Sequence, residues 1–218
     1  MDGRKVPAPT IERLALYLLC LKPLLERGIE TVSSETIARL VGRNAPQVRK
    51  DLSYLGQFGT PGVGYNVAEL RRKLALMMGL EREKKVFLVG AGSLGSALCR
   101  YGGFREEGFN ICAVFDNDPA KVGKRLGRLQ IQDISELIPA NLEQKVDMAI
   151  IAVPASASQA VANLLVEAGI PSIATFAPTP IEVPSQMSVR TVDLTKELAV
   201  LSCRVHLREG AANVSGAD

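Results

Sequence analysis

The chain has a single histidine in 218 residues, four scattered cysteines and no apolar run long enough to span a bilayer. Each shortage excludes something. Cys20, Cys99, Cys112 and Cys203 form no CxxC pair and do not cluster with His206, so neither a metal site nor a disulfide framework is expected. Cys20 and Cys112 stand in apolar runs and are expected to be buried free thiols. The opening "MDGRKVPAPT" has no apolar signal-peptide core, so a cytoplasmic location is expected. His206 lies among charged residues near the C-terminus, where a surface or packing role is expected. There is no Ser-His-Asp arrangement and no Tyr-x-x-x-Lys pair. That counts against an enzyme without excluding one, because Lys or Asp can also serve as a base.

What is present is an ordinary globular composition, 47% apolar and 22% charged, with a length suited to one or two domains. The net charge of +3 is unevenly placed. Residues 1–80 hold twelve Lys and Arg against seven Asp and Glu, and the remainder holds fourteen against sixteen. A basic first domain joined to a mildly acidic second one points to an anionic partner for the first.

Ile11, Leu14, Leu18, Leu21 and Leu25 follow helical spacing from Thr10 to Arg27, with Gly28 as the stop and Pro23 as a kink or internal boundary. In "SSETIARLVG", Ser33 or Ser34 caps a short helix that Gly42 ends. In "RNAPQVRKDLSYLG", Asn44 caps a second helix, with Pro46 in its first turn and Gly56 at its end. "QFGTPGVGYNV" reads as a glycine-punctuated hairpin, and "AELRRKLALMMG" as a closing helix. On the second short helix, Val48, Leu52 and Leu55 make an apolar face. Gln47, Lys50 and Tyr54, with Arg49 and Ser53 beside them, make the opposite one. Such a face suits a major groove, with Gln reading adenine and Arg or Lys reading guanine or holding phosphate. The two short helices form a helix-turn-helix. The hairpin would be its wing, slim at Gly59, Gly62 and Gly64.

After the polar connector "LEREK", the runs "KVFLVG", "FNICAVFD", "VDMAIIAVP" and "IPSIATFAP" alternate with helical segments such as Ser93–Tyr101 and Ala157–Ala168. Continuous apolar strands of this kind are buried on both faces of a parallel sheet, so a doubly wound α/β domain is expected. Gly90, Gly92 and Gly95 complete a G-x-G-x-x-G between the first strand and its helix, and Asp116 ends the second strand. A carboxylate there accepts hydrogen bonds from ribose hydroxyls and repels a 2′-phosphate, so NAD(H) is favoured over NADP(H). A last helix from Leu194 to Arg208 carries Leu194, Leu198, Leu201 and Val205 on one stripe, followed by a polar tail. From these residues alone, an NAD-dependent oxidoreductase with an accessory helical domain stays open beside a dinucleotide-responsive DNA-binding protein.

Taken in order, "KVPAPTIERL", "VSSETIARLVGRNAPQVRKDLSYLGQFG", "GVGYNV", "VGAGSLGSAL", "FDNDPAKVG", "IIAVPA", "FAP" and "VDL" resemble the Rex redox-sensing transcriptional repressors of bacteria over nearly the whole chain. The resemblance implies a non-enzymatic repressor. It would have a winged-helix domain at 1–80, a Rossmann domain at 81–192, a dimerisation helix exchanged between subunits at 193–210 and a disordered tail at 211–218. It implies a homodimer on a pseudo-palindromic duplex operator, released by NADH, with NAD+ competing and no membrane association. By resemblance, Arg49 and Lys50 contact DNA from the recognition helix with Gln47, Ser53 and Tyr54 around them. Thr60 and Gly62 do so from the wing, and Arg13 lies near the DNA-facing side. Gly90, Ala91, Gly92, Ser93, Leu94, Gly95 and Asp116 hold the dinucleotide. Val153, Pro154, Phe176 and Ala177 wall the nicotinamide, and Tyr101 meets Asp193 of the partner subunit. Two positions depart from the family pattern: Pro61 replaces an Arg of the wing, and Leu19 replaces an Arg of the first helix that pairs with Asp193.

Overall fold

The computed structural model describes residues 6–56, 58–60 and 62–215. The chain divides into two compact units, Met1–Arg82 and Glu83–Asp218, where the sequence put the boundary at residue 80.

In the first unit, α1 (Ala8–Glu26) starts two residues earlier than expected. Pro7 at the N-cap and Pro9 in the first turn lack N–H groups that would find no partner there anyway. Pro23 does not divide the helix, which runs on to Glu26. So near the C-terminal end the ring disturbs little, while Leu21 and Leu24 stay buried on either side of it. The buried stripe is Thr10, Leu14, Tyr17, Leu18, Leu21 and Leu24, which leaves Ile11 and Leu25, both expected inside, facing out. α2 (Ser34–Leu40) is capped by Ser33, whose hydroxyl accepts from the Thr36 N–H. α3 (Ala45–Leu52) is capped by Asn44, whose side chain accepts from the Gln47 N–H. α3 tightens into a 3₁₀ turn at Ser53–Leu55, so Ser53 and Tyr54 stand on that turn and not on the α-helix.

The hairpin is smaller than expected. Thr60 and Gly64 exchange backbone hydrogen bonds at 2.9 Å around a tight turn. The strand that follows, β2 (Tyr65–Asn66), pairs antiparallel with β1 (Thr31–Val32), the segment leading into α2. Gly64, at φ +107°, is required by this pairing, since a Cβ there would sit 2.4 Å from the Val32 carbonyl oxygen. α4 (Val67–Met77), capped by Asn66, closes the unit over a core that includes Leu14, Tyr17, Ile37, Val48, Leu52, Leu70 and Leu74.

The second unit is built on β3 (Lys84–Val89), β4 (Phe109–Asp116), β5 (Arg125–Leu126), β6 (Leu129–Asp133), β7 (Met148–Ile151), β8 (Ser172–Thr175) and β9 (Ser188–Thr191). Their order is β5-β6-β4-β3-β7-β8-β9, parallel throughout except for β5. β5, β6 and β9 were not anticipated, because they are short or polar and lie toward the sheet edges. α5 (Ser93–Arg100), α6 (Gly103–Glu106), α7 (Leu137–Gln144) and α8 (Ala155–Glu167) connect the strands. Successive residues of β3 feed opposite cores: Phe87 and Val89 pack with Leu137 and Val161, while Val86 and Leu88 pack with Val114 and Ile131. This is the doubly wound arrangement.

The β3–β4 register slips by one residue, so Val86 faces Ile111 and Phe87 faces Ala113. The extra residue is Cys112, whose thiol donates to the Val86 carbonyl, and the bulge leaves it half-buried instead of buried. Cys20 is likewise half-buried, and loss of water around it pushes its thiol up to about 11. All four cysteines are free.

α9 (Leu194–Ser215) extends the last helix through residues 211–215, which the sequence reading assigned to a disordered tail; 216–218 lie outside the described residues. Its stripe of Leu194, Leu198, Leu201 and Val205 is 54–71% exposed.

Candidate nucleotide cleft and nucleic-acid interface

β3 and β7 are neighbours whose connections leave in opposite directions, so a crevice opens at the C-terminal ends of these two strands. The glycine turn occupies it, and each glycine has a separate reason. Gly90, at φ +102°, has backbone that side chains avoid, and a Cβ there would stand 2.6 Å from the Ala152 carbonyl oxygen. A Cβ on Gly95 would lie 1.8 Å from the Gly90 carbonyl oxygen, so only glycine lets α5 pack this close to the turn. A Cβ on Gly92 would meet no protein atom within 4 Å. That open space is what a backbone cradle for a pyrophosphate would need. Gly92 is also the N-cap of α5 and no side chain caps the helix, leaving its first N–H groups available to an anion. Ser93 and Leu94 are exposed at this helix start, whereas Ala91 and Gly95 are buried.

Asp116 stands at the end of β4, 6% exposed. Its carboxylate accepts from the Ala91 N–H at 2.7 Å and from the Asp118 N–H at 2.9 Å, and Lys121 lies 3.2 Å away. Burial works to raise this carboxyl. The two N–H groups and the Lys121 ammonium outweigh it and hold it below the usual carboxylate range. Lys121, in "FDNDPAKVG", was not singled out from the sequence; only its spacing after the strand could have signalled it.

The other side of the crevice comes from the ends of β7 and β8. Val153 is half-buried and Pro154 exposed. Phe176 is tied by its N–H to the Ile151 carbonyl at 3.0 Å, and the buried Ala177 by its N–H to the Thr175 hydroxyl at 3.1 Å. Thr175, fully buried, is a positioning residue that sequence reasoning missed. Tyr101 ends α5, 62% exposed, with its ring edge-on to Phe104. The Asp193 carboxylate accepts from the Thr195 N–H at 2.9 Å and so starts α9. Among the described residues, no group of three or more His, Cys, Asp or Glu is placed to hold a metal, and no helix is long and apolar enough to cross a membrane.

In the first unit, α3 has Val48 and Leu52 in the core and Arg49 and Lys50 facing out, with Ser53 exposed on the turn after it. Ser53 donates to the Lys50 carbonyl at 2.7 Å. Lys50 has no ion pair among the described residues. Gly62, at φ +78°, has open space around it, and Thr60 and Gly62 lie on the exposed wing turn. Pro61 lies outside the described residues, and Leu19 is 52% exposed on α1.

Arg13 and Gln47 both turn to Asp51, on α3 and 1% exposed. Arg13 Nε and Nη2 donate to its two carboxylate oxygens at 2.6 and 2.8 Å, the Tyr17 hydroxyl at 2.8 Å and Gln47 Nε2 at 2.9 Å. Arg13 therefore anchors α1 to α3. Burial works to raise the Asp51 carboxyl, and the donors from Arg13, Tyr17 and Gln47 bring it below the usual range.

Two family models match the chain: "Putative DNA-binding protein N-terminus" over residues 5–53 and "CoA binding domain" over residues 81–179. A redox-sensing transcriptional repressor Rex from Carboxydothermus hydrogenoformans is 49% identical over 205 residues, covering 94% of this chain and 99% of that protein. Among solved structures, RSP, a Rex-family repressor, in complex with β-NADH is similar with a TM-score of 0.88 at 30% identity, over 97% of this chain and 100% of that one. RSP with β-NAD+ and operator DNA is similar with a TM-score of 0.86 at 32% identity, over 99% of each chain. With the helix-turn-helix in one unit and the dinucleotide turn in the other, this chain belongs to the Rex family of redox-sensing transcriptional repressors.

Proposed function

We propose that the chain is a repressor that holds a pseudo-palindromic duplex operator as a homodimer and lets it go when NADH fills the crevice of the second unit, NAD+ competing for the same place. The observation that carries this reading is the pairing, in one chain, of an outward Arg49–Lys50 face with a glycine turn whose Gly92 leaves room for an approaching pyrophosphate. Lys50 and Arg49 reach DNA from the recognition helix, Ser53 and Tyr54 from the 3₁₀ turn that follows it, and Thr60 and Gly62 from the wing. Gly90 to Gly95 and the start of α5 hold the pyrophosphate, and Asp116 takes the ribose hydroxyls. Val153, Pro154, Phe176 and Ala177 form the nicotinamide wall, where Tyr101 meets Asp193 of the partner subunit. An apolar wall favours a neutral ring over a cationic one, which gives the preference for NADH over NAD+. A two-fold dimer sets its recognition helices about 34 Å apart, one turn of DNA, a spacing with little tolerance. The exposed stripe of α9 is the surface that a second subunit covers. The chain acts in the cytoplasm, and its free thiols fit a reducing compartment.

The test is fluorescence anisotropy on a palindromic duplex selected by the protein from a randomised pool. Saturating NADH is expected to weaken binding by roughly fivefold to 150-fold, the range of an ordinary coupling energy of about 1–3 kcal/mol. Tight NADH binding with no change in duplex affinity defeats the proposal. Asp116→Ala is expected to bind NADH more weakly and to lose at least about tenfold of its preference for NADH over NADPH, measured by calorimetry. The substitution removes the charge that repels a 2′-phosphate and frees the Lys121 ammonium, 3.2 Å away, to meet it. An unaltered preference removes Asp116 from the ribose site.

A further inference from the structure

The two adjacent basic residues of the recognition helix are held differently. Lys50 is free of ion pairs among the described residues, but Arg49 is tethered. Arg49 Nη1 donates to the Ser34 hydroxyl at 2.8 Å and to Glu35 Oε1 at 3.0 Å. Ser34, 6% exposed, lies within 3.2 Å of both Glu35 carboxylate oxygens, and its hydroxyl ties the two charged groups together. The three side chains line an open groove of about 440 Å³ together with the wing residues Thr60, Gly62 and Val63.

The pair is poorly placed for stability. Arg49 and Glu35 side chains are 51% and 68% exposed, and exposed ion pairs contribute little to a fold. It also sets a carboxylate on the face that the functional reading turns toward a polyanion. A negative charge there opposes every phosphate, whatever the sequence, unless it acts on something that reads sequence. Arg49 is that something. A phosphate takes the guanidinium from Glu35 only as one anion in place of another, weakened by salt, whereas a guanine edge is neutral and offers two acceptors in fixed geometry.

We propose that Glu35, with Ser34, is a specificity-determining positioning residue: it competes with backbone phosphate for Arg49 and yields the guanidinium only to a base edge that binds it bidentately. The inference rests on the DNA-binding reading of the first unit. It assigns Glu35 no base contact of its own.

The test titrates full-length wild type and Glu35→Gln by anisotropy, over a range of salt. One duplex is that selected by the wild type from a randomised pool, and the other is a scrambled duplex of the same length. Glu35→Gln is expected to bind the scrambled duplex more tightly and to gain less on the selected one, so that the affinity ratio falls several-fold. The salt slope on the scrambled duplex is expected to steepen by about one, as Arg49 takes up a phosphate. Glu35→Asp is expected to recover much of the ratio, and Glu35→Gln in an Arg49→Ala background to leave the ratio unmoved. Equal gains on both duplexes, or the same fall in ratio without Arg49, would overturn the inference in favour of plain repulsion. Loss of affinity on the selected duplex alone would overturn it in favour of a base contact by Glu35 itself. If the wild type selects no sequence from the pool, the DNA-binding reading falls first and this inference with it.

Discussion

Asp51→Ala is expected to melt the first unit well below the second, lowering its transition by roughly 15 °C in calorimetry. Removing one member of a buried ion pair costs about 3–5 kcal/mol. The lower end applies because Arg13 keeps 19% of its side-chain surface in water. The Tyr17 hydroxyl, in a residue with no exposure, also loses its acceptor. For a domain of this size each kcal/mol moves the midpoint by about 4–8 °C, which gives the figure above. NADH affinity is expected to stay within about twofold, since Asp51 lies in the first unit and the proposed dinucleotide crevice in the second. The same network sets an acid limit. The Asp51 carboxyl titrates lower folded than unfolded, so its contribution is complete above the unfolded value of about 3.9 and is lost as pH falls through the folded one. In Asp51→Asn that part of the acid dependence of the first unit should vanish. A first-unit midpoint unchanged in Asp51→Ala would show that the anchor is not needed.

The second large effect is expected at Gly95. A Cβ 1.8 Å from the Gly90 carbonyl oxygen has only backbone to push against, so α5 must back away from the turn that it closes. Gly95→Ala is expected to destabilise the second unit by about 1–3 kcal/mol or more and to weaken NADH binding by more than about tenfold. Gly92→Ala makes the complementary case. Its Cβ meets no protein atom within 4 Å, so the thermal midpoint should hold while NADH binding falls. Calorimetric midpoints and NADH titrations of the two variants separate these outcomes. If Gly92→Ala bound NADH as the wild type does, the pyrophosphate would not lie over that turn.

How much of this could be read from the sequence depended on whether a residue's duty was local. The cap at Asn44, the cap narrowed to Ser33 or Ser34, and the glycine turn act on residues a few positions away, and their spacing gave them away. Asp51 could not be found in this manner. It sits between Lys50 and Leu52 in a run of charges that reads as a solvated face. Only the return of α1 across α3 shows that it points inward, with Arg13 and Gln47 following it. The ladder of Thr31–Val32 with Tyr65–Asn66 failed for the same reason, since two residues on each side leave no pattern and the partner lies across two helices. β6 and β9 carry polar residues such as Gln130, Gln132 and Arg190, so the apolar-run criterion that found β3, β4, β7 and β8 passed over them. Cys112 stands in an apolar run whose register slips at that residue, which no run of letters records.

The division of labour around α3 has a consequence for how such a protein changes over generations. Its anchorage is concentrated in Val48, Asp51 and Leu52, while of the positions turned to solvent Lys50 carries no ion pair among the described residues and Arg49 is tethered at the surface to Ser34 and Glu35 of α2. If that surface reads DNA as proposed, a lineage can retarget it to new promoters by exchanging Arg49 and Lys50 together with Glu35, leaving the buried scaffold and the metabolite it answers to untouched.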